Sequence, residues 1–203
     1  MSTVLDTKYE SILAKERSLA KAVAIAVVKA RPLTVWDVTI PIIFILNYMK
    51  HKEARELFIQ NFLFTKTLAL EAALNMIKKG HRREDVMSRI EDKTSKILAS
   101  DKKGIYSEEI CQRQMKEIDL LIDHYCKLFE AEGKDYTSLV INAYQGHKDY
   151  TNFLGQLKGA EKAVSLAAEQ TLGTQANPEI VSRMEEATDR VRVAEAEKIF
   201  GRC

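Results

Sequence analysis

Apolar residues recur along this chain at helical spacing, three and four positions apart, almost from end to end. The first such run, Val4 to Ala30, carries Leu5, Tyr9, Ile12, Leu19 and Val23 on one line and is stopped by Pro32. Its centre, Ala20 to Val28, is rich in alanine and valine, which lets another backbone approach closely. A second helix is predicted from Lys52 to Lys79, ended by Gly80 in the left-handed conformation. A third, Arg83 to Ala99, has only a thin stripe of Val86, Ile90, Ile97 and Leu98. The fourth, Glu108 to Glu132, is capped by Ser107 and gives the clearest signal. Its Cys111, Met115, Ile118, Ile122, Tyr125 and Phe129 alternate by four and three, the seam of a helix packed in a bundle.

Gly133 ends that helix, and Asp135 caps a short one over Tyr136 to Tyr144. Gly146 precedes a further helix from Lys148 to Thr171. Asn177-Pro178-Glu179 then places cap, proline and acid in the order of a helix start. This last helix, to Phe200, is dense in charge, with a narrow apolar line of Ile180, Met184, Ala187, Val191 and Ala194. No run alternates apolar and polar residues long enough to predict a strand. The expected fold is all-α, an up-and-down bundle of about six to seven helices. Residues 1–173 form the bundle, and residues 174–203 form an outer charged helix for docking or oligomerisation.

Composition narrows the function classes. The chain has 203 residues, 46% of them apolar, and a net charge of only +2. That length can bury a single core and that balance excludes general disorder. It also argues against a nucleic-acid partner, which would call for a basic excess or stripe. The one dense basic run, Lys78, Lys79, His81, Arg82 and Arg83, fits a helix end, where cations are favoured. Three cysteines, Cys111, Cys126 and Cys203, make no CxxC pair and leave one over under any pairing. With no apolar leader in Met1 to Lys15, the expected compartment is the cytoplasm.

The most unusual stretch is residues 33–49, with the single tryptophan Trp36, Asp37, Pro41 and the run Ile42 to Leu46. Its charge-free part, Val38 to Met49, falls short of the roughly 20 residues that a membrane-crossing helix needs. The expectation is a buried helix starting near Pro41 at the bundle's centre, with Asp37 as its cap. Two alternatives stand beside it. One is an interfacial segment with Trp36 and Tyr48 at headgroup level. The other is an oligomer interface formed by Trp36, Ile42, Phe44 and Tyr48 together with Phe58 and Phe62.

Candidate chemistry lies on a second stripe of the fourth helix, Ile110, Gln114, Glu117, Leu121, His124 and Leu128. Glu117 and His124 stand two turns apart and point the same way. Glu71, within Leu68-Ala-Leu-Glu-Ala-Ala-Leu, and Glu16, on the line of the first helix, are further acids in apolar surroundings. Such groups are costly unless paired or protonated. A dimetal bundle generally takes two Glu-x-x-His elements, and the chain has none, so neither metal nor cofactor is expected. No G-x-S-x-G, HExxH, P-loop or GxGxxG occurs, and no catalytic residue is assigned.

The functional expectation is a non-enzymatic interaction or structural protein that self-associates through segment 33–64 and binds a protein partner. A first alternative is a helical enzyme or ligand-binding bundle using Glu71, Glu117 and His124. A second is a peripheral membrane protein using segment 33–49.

Overall fold

The computed structural model describes residues 2–28, 54–101, 104, 106–173, 176 and 178–201. They form seven helices and no strand: α1 (Ser2–Val28), α2 (Ala54–Lys79), α3 (Arg83–Ser100), α4 (Glu108–Glu130), α5 (Tyr136–Ala143), α6 (His147–Leu172) and α7 (Pro178–Phe200). The all-α expectation holds, and the seven helices predicted within the described residues are present with ends shifted by two residues or fewer. Segment 33–49, with Trp36, Ile42, Phe44 and Tyr48, lies outside the described residues. No helix among the described residues is long and apolar enough to cross a membrane.

The punctuation read from the sequence is real chemistry. Gly80 takes φ +67° and its N–H closes α2 onto the Met76 carbonyl at 3.0 Å. Ser107 Oγ accepts from the Ile110 N–H at 3.2 Å and so satisfies a free donor of the first turn of α4. Asp135 and Ser138 form a reciprocal capping box that starts α5. The end of α4 is held by a residue far away in sequence. Lys8 of α1 donates to the carbonyls of Phe129 at 2.8 Å and Ala131 at 2.6 Å, putting a cation on the negative end of that helix.

Helix α4 is the axis of the bundle, and it is buried on more than its predicted seam. Ile118, Ile122, Tyr125 and Phe129 are in the core as expected, but Cys111 and Met115 are only half-buried. The neighbouring stripe, Ile110, Gln114, Glu117, Leu121, His124 and Leu128, is buried in full. The reason is topological: α2 and α6 pack on α4, with α1, α3 and α5 around the rest of it. A helix enclosed by several partners needs more than one apolar line.

The small residues Ala20, Val23, Ala24 and Val27 of α1 meet Phe58 and Phe62 of α2 and Ile180 and Ala187 of α7. Phe58 and Phe62 stack with their centroids 6.1 Å apart and are nearly fully buried. Expected on an interface or membrane face, they are instead used inside this chain, because the slender α1 leaves room for two rings.

Helix α7 docks against α1 and α6 along most of the predicted line, with Ile180 and Ala187 buried and Met184 and Val191 packed against the same cluster. Its buried side is Ile180, Val181, Ala187, Thr188, Arg192, Ala196 and Ile199, while Ala194 is exposed. A line spaced by four and three drifts by about 20° per heptad on a straight helix, so contact passes to the next residue along. Here that residue is an arginine.

Candidate functional site

A cavity of about 310 Å³ opens between α2, α4, α6 and α7. Each helix supplies a face set by its own repeat. Phe58, Phe62, Thr65 and Lys66 come from α2, and Glu117 comes from α4. Leu154, Lys158, Glu161 and Ser165 recur by four and three on α6, as Met184, Thr188 and Arg192 recur by four on α7. Much of the wall is apolar, with Phe58, Phe62, Leu154, Val164 and Met184 among its side chains.

One corner is charged, and four helices converge on it. Arg192 donates from Nη1 to Glu161 Oε2 at 2.6 Å and from Nη2 to Oε1 at 2.9 Å. Lys66 Nζ donates to Glu161 Oε1 at 3.0 Å and stands 3.9 Å from Glu117 Oε1. Thr65 donates its hydroxyl to that same Glu117 oxygen at 2.7 Å. Lys66 also sits 4.3 Å above the centroid of the Phe62 ring. Lys66, Glu117 and Arg192 are 3%, 4% and 6% exposed, so water screens these interactions little.

The two carboxyls differ because the cations are shared unequally. Burial works against charge on Glu161, yet Arg192 and then Lys66 overcome it and hold that carboxyl at about 2. Burial raises the Glu117 carboxyl above its ordinary value; the more distant Lys66 offsets this in part, and the charge on Glu161 adds to it. Glu161 is therefore the carboxyl held more firmly in its charged form, and Glu117 is the one whose affinity for a proton is raised.

The predicted trio does not converge. Glu117 alone lines this cavity. His124 lies two turns further along α4 in an aromatic cluster, with Nδ1 2.6 Å from Tyr144 Oη and its ring stacked 4.2 Å from Phe153. Burial lowers its pKa to about 3, with Arg192 and Lys127 acting in the same direction, so its ring is neutral. The space beside it, lined also by Glu16, Tyr136 and Tyr150, measures only about 20 Å³, room for a water and nothing larger. Glu71, expected to point inward, is exposed on α2, because Leu68, Leu70, Ala72 and Ala73 already occupy the sides that pack. Glu16 is inward as expected and accepts from Tyr125 Oη at 2.9 Å.

Among the described residues no group of three or more His, Cys, Asp and Glu is placed to hold a metal ion. At the cavity the position between the two carboxylates is taken by the Lys66 ammonium.

Lys66, Glu161 and Arg192 are the site residues that sequence reasoning missed. Lys66 does carry a signal, being a charge that, with Thr65 and Thr67 beside it, interrupts the otherwise apolar run Phe62 to Leu70. Arg192 and Glu161 carry none, since each lies in a segment where charges are common on every side.

The fold and site define a helical bundle with an interhelical cavity open to solvent and a buried ionic corner. Compared with known proteins, the chain matches no family model, and neither a curated protein nor a solved structure shows significant similarity to it.

Proposed function

We propose that this protein is a non-catalytic ligand-binding bundle, and that the cavity between α2, α4, α6 and α7 holds one small molecule with a largely apolar body. The observation that supports this is the composition of the wall: apolar and aromatic side chains around a single corner of buried, oriented polar groups. Such a combination is the usual form of a small-molecule site, and about 310 Å³ lies at the small end of the range for such sites. The ionic groups are committed to one another, which favours binding over catalysis. Of the three readings open from sequence, this is the ligand-binding one, with Lys66, Glu161 and Arg192 replacing Glu71 and His124.

Gly155 on α6 offers the test. It lines the cavity, and a Cβ placed on it meets nothing within 4 Å. Gly155→Phe should therefore obstruct the space while leaving the helix intact, since glycine is among the poorest helix formers. Titration with the neutral fluorophore prodan should give saturable, blue-shifted emission with the natural protein and at least a tenfold weaker response with Gly155→Phe, a loss of about 1.4 kcal/mol. Equal binding by both proteins would place the dye elsewhere and overturn the reading.

A further inference from the structure

Resting on that reading, we propose that the ligand is a small amphipathic monoanion, a carboxylate on an apolar body, which docks its head group against Lys66, and that its binding takes up one proton at Glu117.

The argument is a charge count over the wall. The corner holds two cations, Lys66 and Arg192, and two carboxyls, Glu117 and Glu161. The remaining charged lining residues, Lys158 and Lys162 against Glu185 and Asp189, cancel. With Glu117 ionised the wall is neutral; with Glu117 protonated it carries one positive charge. In neither state is it negative, so a cationic ligand would add unbalanced charge at a place where water screens poorly. A monoanion is balanced in one state only, the one in which Glu117 holds a proton.

Geometry makes this switch available. Arg192 is committed by two hydrogen bonds to Glu161. Lys66 gives one hydrogen bond to Glu161 and only a 3.9 Å approach to Glu117. Neutralising Glu117 therefore breaks no close ion pair and leaves Lys66 with donor capacity for an incoming carboxylate. The charged groups acting on Glu117 are Lys66 from α2, Glu161 from α6 and Arg192 from α7. Glu16 of α1 is tied to Tyr125, and Arg83 of α3 to Asp119 and Asp123, so neither is the counter-ion of Glu117. Helix α5 bears no charged residue, and the hydroxyl of Tyr144, just beyond its end, is placed on His124. Burial raises the affinity of Glu117 for a proton, in the direction the coupling needs.

Calorimetric titration with octanoate, octanol and octylamine, in buffers of differing ionisation enthalpy at neutral pH, tests the proposal. The natural protein should bind octanoate best and take up about one proton per octanoate bound, and octanol should bind with no uptake. Octanoate affinity should fall as pH rises, by up to roughly tenfold per pH unit. In Glu117→Gln, which keeps the acceptor for Thr65, the uptake should vanish. In Lys66→Met the preference for octanoate over octanol should be lost. Proton uptake that persists in Glu117→Gln puts the proton on the ligand and overturns the proposal, as does tighter binding of octylamine than of octanoate. If prodan binds while octanoate shows no preference, the cavity reading stands and this inference falls. If neither prodan nor octanoate binds, the cavity reading itself falls.

Discussion

Arg192 and Glu161, on neighbouring helices α7 and α6, are joined by two hydrogen bonds of 2.6 and 2.9 Å, and this pair is the keystone of the charged corner. It fastens α7 to the bundle through a cation that is almost wholly out of water.

Removing either partner alone strands the other. Glu161→Gln leaves Arg192 buried without its counter-ion and should cost about 3–5 kcal/mol. Arg192→Met should cost less, about 2–4 kcal/mol, because Glu161 keeps Lys66 and reaches some solvent. The double variant Glu161→Leu/Arg192→Met should recover much of the loss, since an apolar pair bears no desolvation penalty. Urea unfolding of the three variants checks this; additive losses in the double variant would show that the pair is not coupled.

His124 should make the protein acid-sensitive. Its pKa falls from an ordinary 6.5 to about 3 on folding, so the folded state requires the neutral ring. The contribution is fully present above about pH 6.5 and is lost as pH falls toward about 3, at up to about 1.4 kcal/mol per pH unit. His124→Phe should flatten this slope. At neutral pH it should be less stable by about 1–3 kcal/mol, because the buried Tyr144 hydroxyl loses its partner. Unfolding free energies measured between neutral pH and about pH 4 should thus show the two curves converging or crossing; parallel curves would exclude His124 as the source.

Two glycines with positive φ should respond differently to alanine. At Gly133, φ +137°, a Cβ would lie 2.5 Å from Ser138 Oγ and 3.1 Å from the Leu139 amide nitrogen, striking the capping box of α5. At Gly80, φ +67°, a Cβ meets nothing within 4 Å. Gly80→Ala should cost about 1–2 kcal/mol of left-handed strain alone. Gly133→Ala should cost about 1–2 kcal/mol more, through loss of the cap. Thermal unfolding of both variants measures the difference.

Lys8 acts as a remote cap. Lys8→Met keeps the aliphatic stem but removes both donors from the end of α4, and should destabilise by about 2–3 kcal/mol. Amide hydrogen exchange should quicken around Phe129 and Ala131 more than at the start of α4. Uniform quickening along α4 would refute a local capping role.

The helices, their order and most of their ends were legible in the sequence because their causes are local. Ser107, Asp135 and Gly80 act on backbone groups within a few residues, and the seam through Ile118, Ile122 and Tyr125 follows from the pitch of a helix. Which polar residues are buried is a different kind of fact. Glu71 and Glu117 look alike in sequence, both acids among apolar neighbours, yet one meets solvent and the other meets Thr65 and Lys66. Arg192 sits in a charged helix that reads as solvated and is nonetheless buried. Burial of a charge depends on how each helix is rotated about its axis and on whether a counter-charge waits on another helix, as Glu161 does some thirty residues away. Local sequence fixes the pitch of a helix and where it stops; only the packing of the helices on one another decided which faces turn inward and which charges meet there.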